Sequence, residues 1–223
     1  MADGFIQLPV DSTGKKLRTR DRGAAGHDQY VVPTDLRLVT YHGRVCTFKT
    51  PGRAAVNQKI FALHNATGSA VLVDVKRLRV DVLQTAVKAV TIVVPVIRVY
   101  RVTVLPTNGT ALTKVTTDTT QTSSASVTVF GDSSADGTLS ATALTATIPA
   151  GNILAQTYAP RVFTAVGYEP LDTVEFFVGD ETDVTLRPLE GIVVFLESAV
   201  VTTGIPATDQ YIVSADWEEY TLP

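Results

Sequence analysis

The amino-acid sequence predicts an all-β protein: a single β-sandwich or jelly-roll-like domain entered through an extended N-terminal arm. Three observations predict it. Valine and threonine dominate the composition, and their β-branched side chains suit a pleated, half-buried surface. Short alternating apolar runs recur at close intervals between turn residues, which is the rhythm of a sandwich or barrel. Residues that build helix surfaces are scarce, with a single methionine and more aspartate than glutamate. At 223 residues, 45% of them apolar, the chain can bury a substantial core and is too hydrophobic to be disordered as a whole.

Residues 1–28 read as the arm. Asp11-Ser12-Thr13-Gly14 is turn chemistry, and Gly23-Ala24-Ala25-Gly26 is a flexible joint. Between them Lys15, Lys16, Arg18, Arg20 and Arg22 place five cations within eight positions. Phe5, Ile6 and Leu8 are the arm's main apolar side chains, suited to adding a strand to the exposed sheet edge of a neighbouring subunit.

Residues 29–223 read as the sandwich. Tyr30 to Val32, Leu36 to Tyr41, Val45 to Phe48 and Ile60 to His64 are strand-like. In Val71 to Leu83 the apolar alternation changes parity, from Val71, Val73 and Val75 to Leu78, Val80 and Val82. A strand cannot exchange faces without an irregularity, so a bulge or bend is expected near Lys76-Arg77. Pro95 in the run Ile92 to Val104 marks an edge, a bulge or a strand start. Asn108-Gly109 predicts a type I′ turn joining Val96–Leu105 to Ala111–Val115 in a hairpin.

The Thr/Ser/Ala-rich stretch 116–147 still carries strand signals at Ser126 to Phe130 and Leu139 to Ile148. It reads as a projecting hairpin or a weakly specified sheet edge. A short helical piece is expected around Gly151 to Gln156. Strands are expected again at Arg161 to Val166, Val174 to Val178, Val184 to Leu186, Ile192 to Leu196 and Gln210 to Trp217. In the last, Tyr211, Val213, Ala215 and Trp217 share one face, with Ser214, Asp216 and Glu218 on the other.

Charge is unevenly spread along the chain. Met1 to Arg101 holds 16 cationic and 7 acidic side chains, and Val102 to Pro223 holds 3 and 15. Either the asymmetry follows from which strands face solvent, or the subunit is electrostatically two-faced and docks on copies of itself or a charged partner. Nucleic acid is not an expected partner, because the cations lack aromatic interleaving and any recognition motif.

Catalytic signals are missing. His27, His42 and His64 stand on separate segments, and no nucleophile elbow, phosphate loop or dinucleotide fingerprint occurs. Asp132 to Gly137 lacks the spacing of a calcium loop and reads as an Asx turn. Asp180, Glu181 and Asp183 form an acidic surface and are candidate partners for the arm's cations. Cys46 is alone in the sequence, so no intrachain disulfide is expected, and a buried, unreactive thiol is. No enzyme activity, cofactor or metal is expected. The first residues lack a secretory pattern, and Ala89 to Ile97, interrupted by Thr91 and Pro95, is too short to span a bilayer. Folding in a reducing cytosol without membrane contact is expected.

The arm Asp11 to Arg20 (DSTGKKLRTR) with His27 and Tyr30 to Val32, the segment Leu63 to Val82 (LHNATGSAVLVDVKRLRVDV), Pro95 to Thr113, and Pro206 to Glu219 (PATDQYIVSADWEE) together resemble structural proteins of tailed bacteriophages. The resemblance implies a virion protein of sandwich or jelly-roll type, made in the host cytoplasm and carried in the particle. Its first form is a capsid decoration (cement) protein, a homo-oligomer with a trimer among the options, bound to the major capsid protein through arm and sheet edges. A head–tail connector or tail component is the alternative. A carbohydrate-binding sandwich is the rival from another class, for which Tyr158, Tyr168, Trp217 and Tyr220 would have to supply exposed aromatic surface.

Overall fold

The computed structural model describes residues 5–7, 16–21, 27–30, 39–46, 49–53, 57–84, 95–134, 137–159, 170–177, 184–198 and 209–221. Two compact units are present, Met1–Leu38 and Val39–Pro223, so the division falls ten residues beyond the end of the expected arm. Among the described residues there is no helix, and every strand pairing is antiparallel.

The first unit holds β1 (Phe5–Gln7), β2 (Lys16–Asp21) and β3 (His27–Tyr30), in the order β1-β2-β3. β1 and β2 flank the turn chemistry at Asp11 to Gly14, and β2 and β3 flank Gly23 to Gly26. Both pairings, β1 with β2 and β2 with β3, are antiparallel.

The second unit is a β-sandwich. One sheet contains β4 (Val39–Cys46), β5 (Thr50–Pro51), β7 (Val71–Gln84), β10 (Val115–Thr116), β13 (Pro170–Phe176), β14 (Val184–Leu186) and β16 (Asp209–Thr221). Its order is β10-β4-β16-β7-β13, with β5 also on β16 and β14 also on β7. The other contains β6 (Asn57–Asn65), β8 (Pro95–Val102), β9 (Thr110–Ala111), β11 (Val127–Gly131), β12 (Ile153–Tyr158) and β15 (Gly191–Ser198), ordered β12-β8-β15-β6-β11-β9. One core joins the inner faces: Val73, Leu78, Val80, Tyr211, Val213 and Trp217 from the first sheet meet Phe61, Leu63, Ile97, Val99, Ile192 and Val194 from the second.

Side-chain periodicity sets the registers. Burial alternates along β16 as expected, and the strand is central, between β4 and β7. Asp216 pairs with Arg77 and Trp217 with Val75, so Lys76 is the extra residue of a bulge. That bulge lets Val73 and Val75 share the core with Leu78, Val80 and Val82 despite their opposite parity. Pro95 is the first residue of β8, where a missing N–H is tolerated. Gly43, opposite Trp217 in the register, interrupts an otherwise side-chain-filled strand because a Cβ there would lie 2.5 Å from Trp217 Cε2.

Four expectations are corrected. Asn108 and Gly109 take φ of 61° and 72°, as a type I′ turn requires, yet the flanking strands do not form a hairpin. β8 lies between β12 and β15, whereas β9 pairs with β11 at the far edge. With Ile97, Val99, Tyr100 and Val102 all buried, β8 needs long neighbours on both sides, which the two-residue β9 cannot be. Gly151 to Gln156 leads into strand β12, not a helix: the β-preferring Ile153, Thr157 and Tyr158 complete the free side of β8.

Leu139 to Ile148 is not a strand, and makes only the bridges Ser133–Leu139 and Thr107–Thr145. Its Leu144 packs with Ala62, Val102 and Val193 on the outer face of the six-stranded sheet, and scattered backbone bonds to Thr107, Gly109 and Asp132 stand where a continuous ladder was expected. Cys46 is exposed. Tyr41 and Val45 point into the core, and alternation along β4 turns position 46 outward. The expected strand Arg161 to Val166 lies outside the described residues.

Candidate functional site

Of the proposed interaction residues, Phe5 and Ile6 lie in β1 and Lys16, Arg18 and Arg20 in β2, with Phe5 opposite Arg18 and Ile6 opposite Leu17. Leu8, Lys15, Arg22, Asp180, Glu181 and Asp183 lie outside the described residues.

Strand order reshapes the charge asymmetry. β4, β7 and β8 come from the basic half of the chain and lie beside β16, β13 and β15 from the acidic half. Arg44 Nε is 2.5 Å from Asp216 Oδ1, Lys76 Nζ is 3.4 Å from Glu218, and Arg101 Nη1 is 2.8 Å from Glu190. Arg77 pairs with Glu175 and Arg98 with Glu197. Each of these pairs joins the two halves. Charges segregated in sequence are therefore interleaved on the body, and Arg44 is raised above its ordinary pKa chiefly by its hydrogen bond to Asp216.

Two buried acids organise the Thr/Ser-rich stretch. Asp132, fully buried, accepts hydrogen bonds from Arg53 Nε at 2.6 Å, Arg53 Nη2 at 3.0 Å, Gln58 Nε2 at 2.8 Å and the Leu144 amide at 2.9 Å. Arg53 also donates to the Ser140 carbonyl at 2.7 Å. The loop read as an Asx turn is thus pinned to β6 and to the segment covering the sheet. Glu219 accepts from Ser123 Oγ at 2.6 Å, the Ser124 amide at 2.8 Å and Trp217 Nε1 at 3.1 Å. Nearby, Lys114 donates to the carbonyls of Ser124 and Val127, and burial lowers its pKa.

His42 lies in β4 and His64 in β6, on different sheets. His42 Nδ1 is 3.1 Å from Glu218, and His27 lies in β3. His64 is buried, and that burial lowers its pKa. Among the described residues no group of three or more His, Cys, Asp or Glu could hold a metal ion. A shallow surface depression of about 220 Å³ is lined by Arg44, Cys46, Arg77, Arg79, Ser214 and Asp216, and its arginines pair with neighbouring acids. Of the aromatics a carbohydrate platform would need, Trp217 and Tyr220 are buried, Tyr158 is 69% exposed, and Tyr168 lies outside the described residues.

In comparisons with known proteins, no family model, curated protein or solved structure matched this chain.

The surface that the sequence did not reveal is the β12 edge of the six-stranded sheet. Val104, Leu105, Ile153 and Tyr158, four of the large exposed hydrophobics, lie on β12 or just beyond the end of its neighbour β8. An unbroken alternation along the strand would have signalled it. The bulge between Ile153 and Ala155 breaks that pattern.

Proposed function

We propose that the chain is a structural subunit of a bacteriophage particle, a capsid decoration protein that binds and stabilises neighbouring virion subunits. The observation that carries this reading is the order of the eight longer strands. Numbered along the chain from β4, β6, β7, β8, β12, β13, β15 to β16, one sheet runs first-eighth-third-sixth and the other second-seventh-fourth-fifth. This order is that of two interlocked Greek keys, which supports a jelly roll, an architecture used by viral capsid domains. Fold alone does not assign a role. The separate N-terminal unit, the commitment of Asp132 and Glu219 to packing, and the resemblance of the sequence to phage structural proteins favour assembly over chemistry.

The test is mass spectrometry and electron microscopy of purified phage particles from cells in which the chain is made. Many copies on the capsid shell are expected. Copies at the neck or tail would replace decoration by a connector or tail role, and absence from particles would refute the reading.

A further inference from the structure

Sheet edges expose unpaired backbone groups, and folds normally blunt them with short strands, charge or proline. Among the described residues the outer strands follow that rule with one exception. β5, β9 and β10 are two residues long and β14 three, while β13 carries Pro170, Asp172 and Glu175 in its sequence. β12, Ile153–Tyr158, has six residues with neither charge nor proline, and among the described residues it pairs with β8 alone.

The exception is self-complementary. Ile153 pairs with Tyr100 and Ala155 with Val99, so Leu154 is the extra residue of the bulge. Gln156 pairs with Arg98 and Tyr158 with Val96. Tyr100, Arg98 and Val96 alternate along β8, so Ile153, Gln156 and Tyr158 share one face, and all three are exposed. The amide of Ala159 donates to the Pro95 carbonyl at 2.9 Å, toward β8. Alternation then turns the N–H and C=O of Gln156 away from β8, toward the side where no described strand pairs with β12.

We propose that β12 pairs antiparallel with β12 of a second copy about a two-fold axis at Gln156, continuing the six-stranded sheet across two chains. In this register the Gln156 backbones exchange both hydrogen bonds, Ala155 faces Thr157, and Ile153 of each copy faces Tyr158 of the other. The bulge creates the match: without it Ile153 would occupy the opposite face from Tyr158. No like charges meet along the seam, and each half supplies an aliphatic–aromatic cross-strand pair. An isologous contact of this kind closes at two copies. The inference is independent of a virion role, because it concerns the purified chain; particle composition and self-association can each fail without the other.

The experiment is analytical ultracentrifugation of the full-length chain over a dilution series, with Gln156→Lys, Gln156→Glu and Gln156→Pro variants and circular dichroism on each. The wild type is expected at twice its 23.8 kDa monomer mass, dissociating on dilution. All three variants should be monomeric with unchanged β spectra, since like charges meet at the axis or the outward N–H is lost. Mixing the Lys and Glu variants should restore the dimer. If the Pro variant misfolds, the Lys and Glu pair decides alone. A wild type that is monomeric at every concentration, an oligomer indifferent to Gln156→Lys and Gln156→Glu, or a mixture that stays monomeric would overturn the proposal.

Discussion

Replacing Asp132 by alanine should be among the most damaging single changes in the sandwich. The carboxylate is fully buried and accepts from Arg53 twice, from Gln58 and from the Leu144 amide. Its removal leaves an arginine with a side chain only 23% exposed and two neutral donors without their acceptor. Breaking a buried pair by deleting one partner costs about 3–5 kcal/mol. Arg53→Ala should cost a similar amount by leaving the buried carboxylate short of its cation. The double variant should be less destabilised than the two single losses together, because it leaves neither charge stranded. Trp217 is the sole tryptophan and is 1% exposed, so its fluorescence reports unfolding of the core directly. Denaturant titrations of the four proteins give the cycle. A loss for Asp132→Ala below about 1 kcal/mol, the range of an exposed pair, would show that this network does not hold the segment as described.

Three further outcomes are expected. Gly43→Val should destabilise by about 1–3 kcal/mol through overpacking and alter Trp217 emission in the folded state, since its Cβ meets the indole; an unchanged spectrum would contradict the packing. A chain beginning at Val39 should retain a cooperative unfolding transition with native Trp217 emission, because the core is drawn from Val39–Pro223; loss of that transition would make the first unit part of the fold. Stability should fall with acidification below pH 6.5, the ordinary pKa of histidine, because burial lowers that of His64 in the folded state. The unfolded chain then binds a proton that the folded one does not, so stability present above pH 6.5 is lost as pH falls toward the depressed value. His64→Leu should flatten that part of the pH profile relative to wild type, and parallel profiles would remove His64 as the cause.

Much of the sandwich was legible because a half-buried strand writes its register into alternation. The parity change in β7 pointed to an irregularity near Lys76-Arg77, where the extra residue is Lys76, and β16 showed its buried face in full. Partner choice was not legible. Asn108-Gly109 fixed two local backbone angles, but the neighbour of β8 was decided by the need to bury both faces of that strand. The bulge in β12 disguised its alternation, and the helix-favouring Leu154, Ala155 and Gln156 made the segment resemble a short helix. The partners of Asp132 were hidden for a similar reason: a turn-rich sequence describes the loop's own geometry, while Arg53 and Gln58 reach it from more than seventy positions away.

The charge asymmetry shows how topology can invert a sequence signal. A chain with a basic first half and an acidic second half would be two-faced if each half folded by itself. In this sandwich the long strands of the two halves alternate, so β16 lies between β4 and β7, and β15 between β6 and β8. Cross-strand neighbours then have opposite charge along much of the outer surface of the seven-stranded sheet, from Arg44 and Asp216 to Arg77 and Glu175. Such pairs lie near the surface and each contributes about 0–1 kcal/mol. Their collective effect is to balance charge locally among these paired strands. The same interleaving leaves the uncharged β12 edge as the most distinctive part of the described surface.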